Sequence, residues 1–169
     1  MDARAEILDI LKKAFQIEVD GYTFYSMTAE RATKPAVQEL FAKLARDEVE
    51  HQRYLKGVMK NFDAEGLAAF VVQRRAPELK AFSDAVFSDK FRQQAAGAVF
   101  EVGVLSVGMT LENNAVNFFT RAAEGAREKE VRDFYAFLAE WERQHFDALQ
   151  QLYNSVRADF WEASGFAPF

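Results

Sequence analysis

The chain has 169 residues, half of them apolar and 28% charged, enough for one domain around a single core. A formal charge of −5 argues against a protein that wraps nucleic acid, for which a basic face is the usual footprint. The absence of Cys excludes disulfides, thiolate nucleophiles and zinc ribbons, and fits a reducing compartment.

Seventeen Phe against three Pro and eight Gly point to long helices with aromatic packing and few turns. The opening segment, MDARAEILDILKKAF, mixes charges with apolar residues at helical spacing, unlike a signal peptide, so the cytoplasm is the expected location. A first helix is predicted from about Ala5 to Arg31, with Ile7, Leu11, Phe15, Tyr22, Tyr25 and Ala29 on its apolar stripe. A second opens near Pro35, a residue favoured at the first helical position, and carries Val37, Phe41, Leu44, Leu55 and Val58. Asn61 to Lys90, interrupted by Gly66 and Pro77, reads as a crossover with one or two short helices. A third helix spans about Phe91 to Glu124 and stops at Gly125, a natural C-terminal cap. Within it, Ala95 to Leu111 carries Glu101 and three glycines and falls short of the roughly 20 apolar residues of a membrane span. It reads as a buried core helix, and no membrane contact is expected. A fourth helix covers about Glu128 to Arg157, with Val131, Tyr135, Leu138, Leu149, Leu152 and Val156 inward. The tail, 158–169, is expected to be irregular after Trp161.

Two short connections and one long one describe hairpin, crossover, hairpin. The expected fold is therefore all-α, a ferritin-like four-helix bundle in a single domain. Hairpin one is placed at about 4–60, the crossover at 61–90 and hairpin two at 91–157. The hairpins repeat each other. A shift of 94 places lays Glu18 on Glu112, Phe24 on Phe118, Leu44 on Leu138, Glu48 on Glu142, His51 on His145 and Leu55 on Leu149, without a gap. Two similar halves then pack about a pseudo-two-fold axis.

The repeated positions carry chemistry. Both histidines of the chain stand three residues after a glutamate, in Glu48-x-x-His51 and Glu142-x-x-His145, on stripes that otherwise read as core. Residues at i and i+3 share one side of a helix, so each pair can hold one ion or one bridged pair of ions. Glu18 and Glu48 are both 15 residues from the turn near Thr33, and Glu112 and Glu142 both 15 from the turn near Arg127. At about 1.5 Å of rise per residue, all four carboxylates stand at one level. A single Glu-x-x-His is ordinarily a solvated face. Two on apolar stripes, each with a carboxylate 30 residues upstream, are a different matter. Burying four carboxylates costs several kcal/mol per ion, on the order of that for any unpaired charge, unless cations neutralise them. Two divalent ions balance four negative charges, and the mix of carboxylate and imidazole suits Fe or Mn.

DEVEHQRYL at 47–55 and EWERQHFDAL at 140–149 resemble the second and fourth helices of the rubrerythrin and ferritin-like di-iron family. IEVDGYTFY at 17–25 resembles its first helix and LENNAVNFF at 111–119 its third. The resemblance implies that Glu18, Glu48, His51, Glu112, Glu142 and His145 ligate two iron ions, with Glu48 and Glu142 placed to help bridge. It implies a non-haem di-iron oxidoreductase that reduces peroxide or dioxygen. The alternatives are a ferroxidase that takes Fe(II) as substrate, or a non-enzymatic metal-binding or iron-sensing bundle. Two departures matter. Without Cys the chain lacks a rubredoxin module, and Ala115 occupies the position of the family's extra third-helix Glu. Electrons are then expected from an external donor protein, and a homodimer is the expected assembly.

Around the six residues, Tyr22 and Tyr25 are candidates to hydrogen-bond a ligand or relay an electron, against plain core packing. Asp47 and Glu50 flank the second-helix pair and read as surface acids or as groups orienting the histidine. Glu101, three turns before Glu112, reads as the lining of an access path or as a buried partner. Trp141 and Trp161 are candidates for a dimer interface.

Overall fold

The computed structural model of the chain describes residues 3–72 and 99–163. Every element among them is a helix. They are α1 (Ala3–Arg31), α2 (Pro35–Glu65), α3 (Ala68–Val72), α4 (Val99–Gly125) and α5 (Lys129–Ala163). The expected crossover beyond residue 72, with Pro77, the start of the third helix at 91–98, and the tail from 164 lie outside the described residues, as does the side chain of Trp161.

The four long helices form the expected all-α bundle of two hairpins, α1 with α2 and α4 with α5. The first turn is tight because Pro35 opens α2 at once: its ring sets the helical φ and its missing N–H costs nothing at a helix start. α2 runs five residues past its expected end, since Phe62 is buried and keeps the last turns on the core. It stops at Gly66, whose φ of 63° is the one left-handed backbone among the described residues. Likewise α5 continues through Ala163, into the stretch expected as tail. Arg4 bonds Asp63 at 2.8 Å and ties α1 to α2 at the end far from their turn.

Two apolar clusters fill the bundle. One, around Tyr25, Val37, Phe41, Leu105 and Leu152, occupies the end near the α1–α2 turn. The other, around Leu11, Leu55, Phe119, Tyr135 and Leu138, fills the opposite end and takes in Phe70 of α3. Between them lies a layer of buried charge. Among the described residues, no helix is long and apolar enough to cross a membrane.

Side-chain facing departs from the predicted stripe on α1. The buried set is Ile7, Leu11, Ala14, Glu18, Gly21, Tyr25, Thr28 and Ala29, while Tyr22 is 41% exposed and Phe15 is half-buried. At about 100° per residue, Tyr25 lies some 20° from Glu18 on the side where Gly21 and Thr28 fall. Tyr22 lies about 40° to the other side. The neighbouring helices cover only the first sector.

Candidate metal centre

All six candidate residues come to the middle layer. Glu18, Glu48, Glu112, Glu142, His51 and His145 are each no more than 3% exposed. His51 Nδ1 is 2.9 Å from Glu18 Oε2, 3.3 Å from Glu48 Oε2 and 3.7 Å from Glu142 Oε1. His145 Nδ1 is 3.7 Å from Glu112 Oε1 and 4.0 Å from Glu48 Oε1. The two imidazoles stack with centroids 5.0 Å apart and planes 9° apart. Three overlapping triads, Glu18–His51–Glu142, Glu112–Glu142–His145 and Glu48–His51–His145, each bring one ligand atom per residue within 4.8 Å of the others.

The electrostatics are those of a site built for more positive charge than its histidines carry. Burial, followed by the charge of Glu18, pushes the Glu48 carboxyl well above the usual range, and Glu142 is raised in the same way. Burial also works against a charge on His51, but Glu18 outweighs it and brings the imidazole up to about 9. Glu112 goes the other way. Burial opposes its charge, yet hydrogen bonds and charge from His145, with a hydrogen bond from Tyr25, hold it below its ordinary value. His51 Nε2 and Glu142 Oε1 are buried without a hydrogen-bond partner among the described residues, an arrangement that native interiors rarely tolerate. Carboxylates and imidazoles are the donors that suit Fe or Mn, and an ion would satisfy these orphaned atoms in place of a proton, so the residues fit such ions.

The two tyrosines separate. Tyr25 is fully buried and its hydroxyl donates to Glu112 Oε1 at 2.5 Å. Tyr22 reaches solvent, at 41% exposure. Asp47 pairs with Lys43 at 3.0 Å, both half-buried, and Glu50 pairs with Arg53 on the exposed face. Glu101 is buried beside Lys34 Nζ at 3.3 Å; it is a partner of the residue that precedes α2, joining the two hairpins at that end. Trp141 is 2% exposed and packs its ring 3.9 Å from that of His51, so it does not serve a dimer interface. Sequence periodicity alone left it open, because its position is at the edge of the α5 stripe.

Two glycines went unremarked in the sequence. A Cβ at Gly21 would sit 3.1 Å from Glu48 Cδ and Oε1, and one at Gly108 would sit 3.2 Å from Leu149 Cδ1 and 3.4 Å from Tyr25 Cε1. Gly21 thus makes room for the Glu48 carboxylate and Gly108 for the Tyr25 ring. The available signal was their place inside long helices, where glycine costs about 1 kcal/mol against alanine.

A family model for rubrerythrin matches residues 9–153. No solved structure matches the chain.

Proposed function

We propose, from the premise that the chain belongs to the rubrerythrin family, that it is a non-haem di-iron oxidoreductase reducing peroxide or dioxygen. Glu18, Glu48, His51, Glu112, Glu142 and His145 would hold two iron ions. The observation that carries this reading is the layer of four buried carboxylates and two imidazoles, three overlapping metal-sized triads at one level. Bound there, the iron pair supplies the redox chemistry that protein side chains lack.

The chain's own residues set the terms. His51 lies with Glu18 and His145 with Glu112, so each hairpin offers one ion a carboxylate and an imidazole. Glu48 reaches both imidazoles and Glu142 belongs to both end triads, which suits them to span the pair. Burial keeps the Tyr25 phenol protonated, its pKa well above the ordinary value, so its hydroxyl serves Glu112 as a donor and not as a base. The apolar clusters on either side exclude water, which strengthens every charge interaction in the layer.

One specific observation favours a ferroxidase as the second reading. Ala115, buried beside the layer, adds no further carboxylate, and the Cys-free chain has no second redox centre to return electrons. Fe(II) would then be the substrate. The test is metal analysis followed by oxidation of the reduced, iron-loaded protein with peroxide or dioxygen. We expect one fast oxidation and then a stall. A reduced electron-transfer protein restarts a peroxidase; excess Fe(II) restarts a ferroxidase; no oxidation by either oxidant overturns both.

A further inference from the structure

We propose that Trp141 is a positioning residue for His51: its indole, in place of a hydrogen-bond acceptor, holds the imidazole in the plane from which Nδ1 reaches the metal. This rests on the reading of the layer as a two-metal centre. Three observations carry it. First, the Trp141 ring lies 3.9 Å from the ring of His51 at an angle of 51°, the closest ring pair among the described residues. Second, the indole is itself held. It also meets Tyr54, one turn beyond His51 on α2, edge-on at 5.4 Å and 83°, and Phe137, one turn before it on α5, at 5.8 Å. Trp141 is thus seated against two successive turns of α2. Third, His51 turns Nδ1 to Glu18, Glu48 and Glu142, while its Nε2, equally buried, has no hydrogen-bond partner among the described residues.

A ligating imidazole ordinarily donates its second N–H to a carboxylate, a carbonyl or water, which fixes both its tautomer and its orientation. With Nδ1 on the metal, the His51 proton sits on Nε2. Trp141 cannot accept it, because the indole N–H only donates. Packing does the orienting instead. Turning the imidazole about its Cβ–Cγ bond, which carries Nδ1 out of the layer, must push against an indole 3.9 Å away in a close-packed interior. The internal repeat sharpens the contrast. The residue matching Trp141 in hairpin one is Asp47, a side chain that only accepts when ionised. Equivalent positions therefore offer opposite chemistry, an acceptor on α2 and an apolar wall on α5. The wall leaves His51 a plain neutral imidazole, without the added basicity that a carboxylate partner confers.

The test loads the full chain with Co(II) and compares the parent with W141A, W141F and F62A. Co(II) moves the ring N–H proton of each ligating histidine far from the rest of the NMR spectrum, and H51A identifies the His51 signal. F62A opens a cavity at a 2% exposed position three turns further along α2 and controls for lost packing. We expect W141A to broaden or displace the His51 signal, to keep that of His145, and to bind one of its two Co(II) ions about tenfold more weakly. W141F, which returns an apolar ring to His51, should restore both signal and affinity. F62A should lose stability to urea and keep both signals. Should W141A fail to fold, W141L takes its place with the same expectation, since it fills space without a flat face. Both signals in place at parent affinity overturn the proposal, and so does equal weakening of both ions, the mark of packing lost in general. A parent that binds no Co(II) overturns the proposed function instead. The metal-free protein then still reads the wall. NOEs between the His51 and Trp141 rings, with one sharp set of His51 signals that W141A broadens or multiplies, support it; absent NOEs overturn it.

Discussion

The Tyr25 hydroxyl bonds Glu112 across the bundle, from α1 to α4, and the residue that stands for Tyr25 in the second hairpin is Phe119, which has no hydroxyl to give back to Glu18. The pseudo-two-fold repeat therefore holds for the six candidate ligands and fails for what surrounds them. Glu112 is served by a phenol, whereas Glu18 is served by His51 and Glu48. On the other side His51 packs on Trp141, whose counterpart is Asp47. Two chemically matched metal positions with unlike neighbours are expected to bind and react unequally.

Tyr25→Phe isolates this asymmetry. The buried Glu112 oxygen loses its donor, and such a loss costs about 1–3 kcal/mol. We expect urea unfolding of the metal-free protein to show a loss in that range, reduced in the metal-loaded protein where an ion satisfies the same oxygen. Equal losses with and without metal would show that the phenol acts by packing alone.

His51→Ala and His145→Ala should divide the metals. His51 belongs with Glu18 and His145 with Glu112, so each variant is expected to lose most affinity for one of two ions and keep the other. Metal analysis after dialysis, with circular dichroism to establish folding, reads this directly. Loss of both ions in both folded variants contradicts it.

The pH dependence of the metal-free protein has a definite sign. Glu48 and Glu142 are raised well above the ordinary carboxyl value of 4.5, first by burial. A folded state that holds protons more tightly than the unfolded chain loses stability as pH rises above the unfolded value. His51, up from 6.5 to about 9 through Glu18, adds stability that is complete below 6.5 and lost as pH passes 9. Glu112 alone, held low, contributes stability that is lost on acidification below 4.5. Metal-free stability should therefore decline from about pH 5 to pH 9 by denaturant titration, and saturating divalent metal should stabilise more as pH rises. A metal-free protein that grows more stable over this window refutes the assignment.

Gly21→Ala tests the space left for Glu48. The added Cβ meets the carboxylate at 3.1 Å and must displace it. Metal affinity should fall about tenfold, the effect of disturbing a ligand's support, while the helical content is kept. Gly57→Ala is the control. Nothing lies within 4 Å of its Cβ, so it should stabilise α2 by up to about 1 kcal/mol and leave metal binding unchanged. A Gly21→Ala protein with parent affinity means that Glu48 has room to move.

Much of the architecture was legible from residues in order. Helix existence, the hairpin repeat and the level of Glu18, Glu48, Glu112 and Glu142 depend on spacing along one helix and on a fixed rise per residue, and both are local quantities. The same arithmetic put His51 and His145 beside their glutamates. What it could not settle is how far each helix is rotated about its own axis. A difference of some tens of degrees decides that Tyr25 enters the core while Tyr22 meets water, that Trp141 lies against His51, and that Gly21 and not a larger residue faces Glu48. Glu101 belongs to the same class: its place on α4 was readable, its partner Lys34 was not. Such rotations are set by interlocking side chains of helices distant in sequence, each contact small and only the sum decisive. The chain's own order therefore determined which residues could form a metal layer, and the packing of the four helices decided which neighbours attend it.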